Sequence, residues 1–200
     1  MKASVDVDID VKALVDGAKR GDEASFAALY EHYFDRIYRY VSFKLRDPVE
    51  AEDVTGEVFL KMLESIHSFK WQGFPFSSWL FRIAHNLVVD HFRRKDKRPT
   101  VYLDQVSQSV GAYSWDVDGF IDRKLTLGEV YGAMADLTDL QREVITLRFA
   151  GELSLAETAE VVGRKANAVK ALQHAGLKKL RGLMEEKQPS LAGAIGRGEA

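Results

Sequence analysis

Hydrophobic side chains recur every three or four residues over most of the chain, which is the period of an amphipathic α-helix. A first such stripe predicts a helix from Asp22 to Leu45, with a buried face of Phe26, Leu29, Tyr30, Tyr33, Ile37, Tyr40, Val41 and Leu45. Asp47-Pro48 predicts the start of a second helix, because aspartate caps free N–H groups and proline fits the first turn. Its predicted buried face comprises Val54, Val58, Phe59, Met62, Leu63 and Ile66.

The periodicity then stops between Lys70 and Ser77, where Gly73 and Pro75 predict a loop. A third helix follows, for which Ser77 or Ser78 is the predicted cap. Its buried stripe is predicted to contain Trp79, Leu80, Ile83, Ala84, Leu87, Val88 and Phe92, and its outer face Arg82, Asn86, Asp90 and Arg93. This helix leads into a basic segment that ends at Arg98-Pro99.

Apolar periodicity is weak from residue 100 to 124, and this stretch is predicted to be a flexible linker because unstructured loops of this length are uncommon within one domain. Beyond it, two stripes around Met134 and Val144 predict two more helices. Ser154 and Glu157 form a capping-box pattern for a short helix that ends at Gly163, and a longer helix is predicted from Ala166 to Met184. The fold class is therefore predicted to be all-α, with two small helical domains joined by the linker.

Composition narrows the classes of function. The chain has no cysteine, which excludes disulfides, thiolate metal sites and a catalytic thiol. It has no apolar run of about 18 residues, and its start carries four aspartates rather than a secretory pattern, so a cytoplasmic protein without membrane contact is expected. No cofactor, metal site or catalytic residue is predicted.

The net charge of −2 conceals segregated charges. Residues 47–64 hold six carboxylates and one lysine, residues 91–98 hold five basic side chains and one carboxylate, and residues 164–187 hold seven basic side chains and two carboxylates. Such blocks indicate two contacts with nucleic acid and one with a basic partner, although each block alone is equally consistent with a solvated helix face.

Two segments have the chemistry of nucleic-acid binding. Trp71, Phe74 and Phe76 precede a basic helix, a combination that suits unpaired bases and their backbone, although Phe76 and Trp79 also fit a core role. Residues 154–184 follow the helix-turn-helix pattern, in which a second helix enters the major groove, although an ordinary basic helical hairpin has the same pattern. The outward residues of this second helix are predicted to be Lys165, Asn167, Lys170, Gln173, His174, Lys178 and Arg181.

Several of these segments together resemble the extracytoplasmic-function sigma factors of bacterial RNA polymerase. Residues 49–60 (VEAEDVTGEVFL) resemble the helix that binds the polymerase clamp, and residues 69–94 resemble the loop and helix that read the minus-ten element. Residues 137–149 and 169–174 resemble sigma domain four. The resemblance implies a domain two over 21–99 and a domain four over 125–186, with an N-terminal extension (1–20), the linker (100–124) and a flexible tail (187–200).

The resemblance also implies roles and partners. Glu52, Asp53 and Glu57 would bind the clamp helices of core RNA polymerase, whose flap would contact domain four. The melted minus-ten strand would contact Trp71, Phe74, Phe76, Arg82, Asn86, Arg93, Arg94 and Lys95. The minus-thirty-five duplex would be read by the outward residues of the last helix, and an anti-sigma factor is a possible further partner. Gly56, Pro75, Lys165, Ala175 and Gly176 depart from the family pattern, and the last three predict weak minus-thirty-five binding.

Two other interpretations compete with this one. His85, Asp90 and His91 lie close together in sequence and suggest a metal-dependent enzyme, but no sequence motif of such an enzyme is present. An autonomous helix-turn-helix regulator would explain the second half of the chain. It leaves unexplained the acidic helix that begins at Asp47-Pro48 and the loop between Lys70 and Ser77, called the aromatic loop below.

Overall fold

The computed structural model of the chain describes residues 9–71, 73–96 and 127–187. Its helices are α1 (Val11–Lys19), α2 (Glu23–Leu45), α3 (Pro48–Ser65), α4 (Phe76–Asp96), α5 (Leu127–Ala135), α6 (Asp139–Phe149), α7 (Leu155–Val162) and α8 (Ala166–Lys187), with a 3-10 turn at Ile66–Ser68. Every regular element of the described residues is thus helical, which confirms the predicted fold class. The chain divides into two compact units, residues 1–111 and 112–200.

The core of the first unit is a bundle of α2, α3 and α4. Tyr33 of α2 contacts Phe76 of α4 and Tyr40 contacts Phe81, at ring-centroid distances of 5.6 and 5.7 Å, so α2 and α4 run in the same direction. Helix α3 follows α2 after a tight turn, runs in the opposite direction and packs against both. The predicted cap of α3 is confirmed, because the Asp47 carboxylate accepts hydrogen bonds from the N–H groups of Val49 and Glu50.

Helix α1 was not predicted from the sequence, which assigned residues 1–20 to an extension. The Asp10 side chain accepts a hydrogen bond from the Ala13 N–H and caps the helix. Val15 is fully buried, and the helix packs against α2 and the 3-10 turn. An aspartate followed by apolar residues at helical spacing was the signal available in the sequence.

Other details of the first unit also differ from the predictions. Tyr30, Leu63 and Phe92 were predicted to be buried, but they are 39, 50 and 40% exposed. They lie at the margins of their stripes, and the small bundle of α2, α3 and α4 covers only the centre of each stripe. Ser77 and Ser78 do not cap α4, because the helix begins at Phe76 and both serines are buried in its first turn.

The second unit contains α5 to α8. Two capping boxes define it: Thr138 with Gln141 at the start of α6, and the predicted Ser154 with Glu157 at the start of α7. Gly163 ends α7 with a φ of 65°, a left-handed conformation that glycine adopts without strain. The turn between α7 and α8 is therefore tight. A small core of Val144, Ala159 and Val169 joins the last three helices.

The predicted linker (100–124) and tail (187–200) lie almost entirely outside the described residues, as do Trp115 and Phe120. The predicted domain boundaries therefore stay predictions.

Candidate polymerase and nucleic-acid interfaces

The exposed side of α3 is acidic and partly apolar. Glu52, Asp53 and Glu57, the three carboxylates predicted to meet the polymerase, are all exposed, and none forms an ion pair with another described residue. Three large apolar side chains lie along the same helix and are 50 to 68% exposed: Val49, Leu60 and Leu63. Exposed apolar groups beside unpaired carboxylates suit a protein partner with basic side chains.

Glu50 has a different role from its acidic neighbours. Its carboxylate accepts hydrogen bonds from Lys95 at 3.0 and 3.2 Å and lies 3.1 Å from Nε2 of His91. Lys95 was predicted to contact single-stranded DNA. The structure instead directs Lys95 towards α3, because residues 91 and 95 lie one turn apart on the face of α4 that meets the first turn of α3.

The aromatic loop is organised around Phe69, which is 5% exposed. Its ring lies 4.9 Å from that of Trp71 and 5.3 Å from those of Phe76 and Trp79, measured between centroids. Trp71 and Phe74 are 39 and 45% exposed, as a base-stacking role requires. Phe76 is 1% exposed, so its prediction as a DNA contact is corrected: it is a core residue that anchors the loop.

The basic residues predicted on the outer face of α4 are exposed. Arg82, Asn86 and Arg93 are separated by four and seven residues, so they share one side of the helix. Arg93 pairs with Asp90 at 3.4 Å, and Arg94 is also exposed at the same end. The helix thus offers one polar and basic face that begins beside the aromatic loop.

Helix α8 exposes most of its predicted DNA-binding residues: Lys165 in the preceding turn, and Asn167, Lys170, His174, Lys178 and Arg181 on the helix. Gln173 is the exception. It is half-buried, and its Oε1 accepts a hydrogen bond from Arg148 Nε at 3.0 Å, because residue 173 lies on the same side of α8 as buried Val169 and Gly176. Gln173 thus forms a contact between α6 and α8, and its role as a base contact stays a prediction.

Arg148 connects three elements of the second unit. Besides Gln173, it donates to the carbonyl of Leu153 in the loop between α6 and α7. Burial lowers the pKa of the Arg148 guanidinium, and the nearby Glu157 carboxylate opposes that shift. The guanidinium stays charged at neutral pH.

The histidines that suggested a metal centre do not converge. Nδ1 of His85 lies 3.4 Å from the Tyr40 hydroxyl, whereas His91 pairs with Glu50. In the described ranges 9–71, 73–96 and 127–187, no three metal-ligating side chains cluster. None of the helices described is long and apolar enough to cross a membrane.

A three-helix bundle with an aromatic loop and a second helical unit with a helix-turn-helix are the arrangement expected of a DNA-binding protein. Residues 29–98 match Sigma-70 region 2, and residues 133–182 match Sigma-70 region 4. The chain is 35% identical to the ECF RNA polymerase sigma factor BldN of Streptomyces coelicolor, over 86% of this chain and 65% of BldN. It is 34% identical to SigW of Bacillus subtilis, over 86% of this chain and 95% of SigW.

The chain therefore belongs to the ECF family of RNA polymerase sigma factors, which are transcription initiation factors that recognise promoters. Solved structures show the same fold. CnrH, in complex with the cytosolic domain of CnrY, aligns over 88% of this chain and 99% of its own, with a TM-score of 0.66 and 23% identity. RpoE of Bartonella quintana, in complex with the anti-sigma factor NepR, aligns over 80% of this chain and 96% of its own, with a TM-score of 0.63 and 20% identity.

Proposed function

We propose that this chain binds bacterial core RNA polymerase through α3, holds the melted minus-ten strand at the aromatic loop and α4, and reads the minus-thirty-five duplex with α8. The observation that carries the proposal is the pair of exposed aromatic rings, Trp71 and Phe74, beside the basic face of α4. An autonomous duplex-binding regulator has no need of such a pair. The chain performs no chemical step in this role.

Stacking and charge support the single-strand part of the proposal. An aromatic ring stabilises a stacked base by about 1–3 kcal/mol, and the loop presents two such rings. Arg82, Asn86 and Arg93 continue from the loop along α4, where guanidinium groups can neutralise phosphates. Removal of a base from the duplex costs a few kcal/mol, and this stacking can offset that cost.

The duplex part depends on the helix-turn-helix. Asn167, Lys170, His174 and Lys178 share the exposed side of α8, where amide and imidazole groups can reach base edges in a major groove. Only the lysines and Arg181 add positive charge, so we expect modest affinity for the isolated duplex. A quantitative footprint that shows strong binding by the free chain would contradict this expectation.

The acidic face of α3 is the proposed polymerase contact, with Glu52, Asp53 and Glu57 opposite the basic clamp helices. The polymerase flap is the proposed contact of the second unit, and the cytoplasm is where these partners meet the chain. The solved complex of RpoE with NepR leads us to propose an anti-sigma factor as a further partner, which would compete for these surfaces.

The test is run-off transcription with purified core polymerase on genomic fragments that include the region upstream of the gene. We expect start-specific transcripts only when the chain is added, and their loss when Trp71 and Phe74 are both replaced by alanine. The matched control is Phe92→Ala, which removes an equally exposed aromatic ring from α4. Specific binding to duplex without any effect on polymerase would instead establish an autonomous regulator.

A further inference from the structure

The aromatic loop is tied to α1, which lies outside the residues that match Sigma-70 region 2. The ammonium group of Lys19, in the last turn of α1, donates a hydrogen bond of 2.8 Å to the backbone carbonyl of Phe69. Fifty residues separate these two partners, and the bond is partly buried. The loop therefore starts from a backbone position that is held by the N-terminal helix.

Phe69 is the residue through which this bond acts on the loop. Its N–H donates to the carbonyl of Ile66 in the 3-10 turn, and its own carbonyl accepts from Lys19, so both backbone groups are engaged. Its ring contacts Trp71 edge to face, at an interplanar angle of 80°. A shift of the Phe69 backbone would therefore displace the surface against which Trp71 rests.

Helix α1 packs closely against α2. A Cβ atom at Gly17 would lie 2.2 Å from Oγ of Ser25, so only glycine permits this approach. Ser25 is also the donor to Asp22 at the start of α2, and hydrogen bonds from its hydroxyl and N–H lower the pKa of the Asp22 carboxyl. Ser25 thus contacts α1 and also belongs to the cap of α2. These contacts fix the position of α1, and so of Lys19 at its end.

We infer that α1 supports the aromatic loop and that Lys19 is a positioning residue for capture of the minus-ten strand. This inference rests on the proposed function of the loop. Lys19 touches no nucleotide in this role. It orders Phe69, so that the exposed Trp71 ring is held ready for a base and less conformational freedom is lost when the strand binds.

The test uses the full chain with core polymerase and a fork template that carries the minus-ten strand of a promoter found by run-off transcription. Lys19→Met keeps the aliphatic stem and removes the donor. Lys12→Met on the same helix is the matched control, because Lys12 is exposed and has no partner among the described residues. We expect Lys19→Met to weaken binding of the fork by about five- to tenfold, the equivalent of one hydrogen bond.

Two further measurements separate positioning from a general loss of structure. Affinity for core polymerase should change little in Lys19→Met, and its unfolding midpoint should fall only as far as the loss of one hydrogen bond requires. Lys19→Arg should recover fork binding because it restores a donor. Gly17→Ala should displace α1 and weaken fork binding without altering the lysine. Equal fork affinity of Lys19→Met, Gly17→Ala and Lys12→Met would overturn the inference, whereas failure of the unmodified chain to bind the fork would overturn the proposed function.

Discussion

The two units expose very different surfaces, although both are small helical bundles. All eight large apolar side chains that are exposed among the described residues belong to the first unit: Ile9, Tyr30, Val49, Leu60, Leu63, Trp71, Phe74 and Phe92. The second unit presents lysine, arginine and histidine on α8 instead. The difference matches the proposed partners, because unpaired bases and a protein offer apolar surface, whereas a duplex offers mainly phosphates and polar base edges.

Each unit also contains one polar contact that redirects a side chain predicted to bind DNA. In the first unit Glu50 engages Lys95, and in the second Arg148 engages Gln173. Both contacts join helices distant in sequence. In both units, some charged or polar side chains therefore join helices and support the exposed surface.

The largest expected effect is a difference in stability between the alanine variants of Phe76 and Phe74. Phe76→Ala should lower the free energy of unfolding by about 3–5 kcal/mol, because it leaves a cavity among Tyr33, Phe69 and Trp79. Phe74→Ala should change stability by less than about 0.5 kcal/mol, since Phe74 is exposed, yet weaken fork binding. Urea unfolding of both variants checks this, and a small effect of Phe76→Ala would place its ring outside the core.

A somewhat smaller loss of stability is expected when Arg148 of the second unit is replaced. Arg148→Met should lower the free energy of unfolding by about 1–3 kcal/mol, because the Leu153 carbonyl and the Gln173 amide lose their donor. Arg164→Met, an exposed residue in the turn before α8, is the control and should be nearly neutral. Thermal unfolding of the two variants measures the difference, and equal midpoints would show that the Arg148 contacts add nothing.

Replacement by alanine should affect stability differently at two helical glycines. Gly56 of α3 has open space around it, so Gly56→Ala should stabilise the chain by up to about 1 kcal/mol. A Cβ at Gly176 would lie 2.6 Å from Cδ1 of Ile145, so Gly176→Ala should gain less or destabilise, depending on how far Ile145 moves. Denaturant midpoints compare the pair. A destabilised Gly56→Ala would contradict the open environment of α3.

The smallest expected effect concerns Glu50. Glu50→Gln should lower the free energy of unfolding by about 0.5–1 kcal/mol at low salt, because the pairs with Lys95 and His91 are partly exposed and screened. Glu64→Gln removes a more exposed pair with Lys61 and should have a weaker effect. If the two variants lost equal stability and neither loss depended on salt, Glu50 would not connect α3 with α4.

Local sequence signals predicted most elements of this protein. Helical periodicity identified α2 to α8, and the caps at Asp47 and Ser154 followed from their side-chain chemistry. The exposed state of Glu52, Asp53 and Glu57 followed from their spacing on α3. These properties depend on residues within a few turns of each other, which periodicity and capping rules describe.

Only the tertiary structure decided what depends on contacts between distant segments. Phe76 is buried because Tyr33 and Phe69 enclose its ring, and Lys95 pairs with Glu50 because α3 places that carboxylate opposite it. Gln173 is held by Arg148, and Lys19 reaches Phe69 across fifty residues. Composition and periodicity identify a side chain's chemistry and its helix, but the neighbour that engages it is set by how the helices pack.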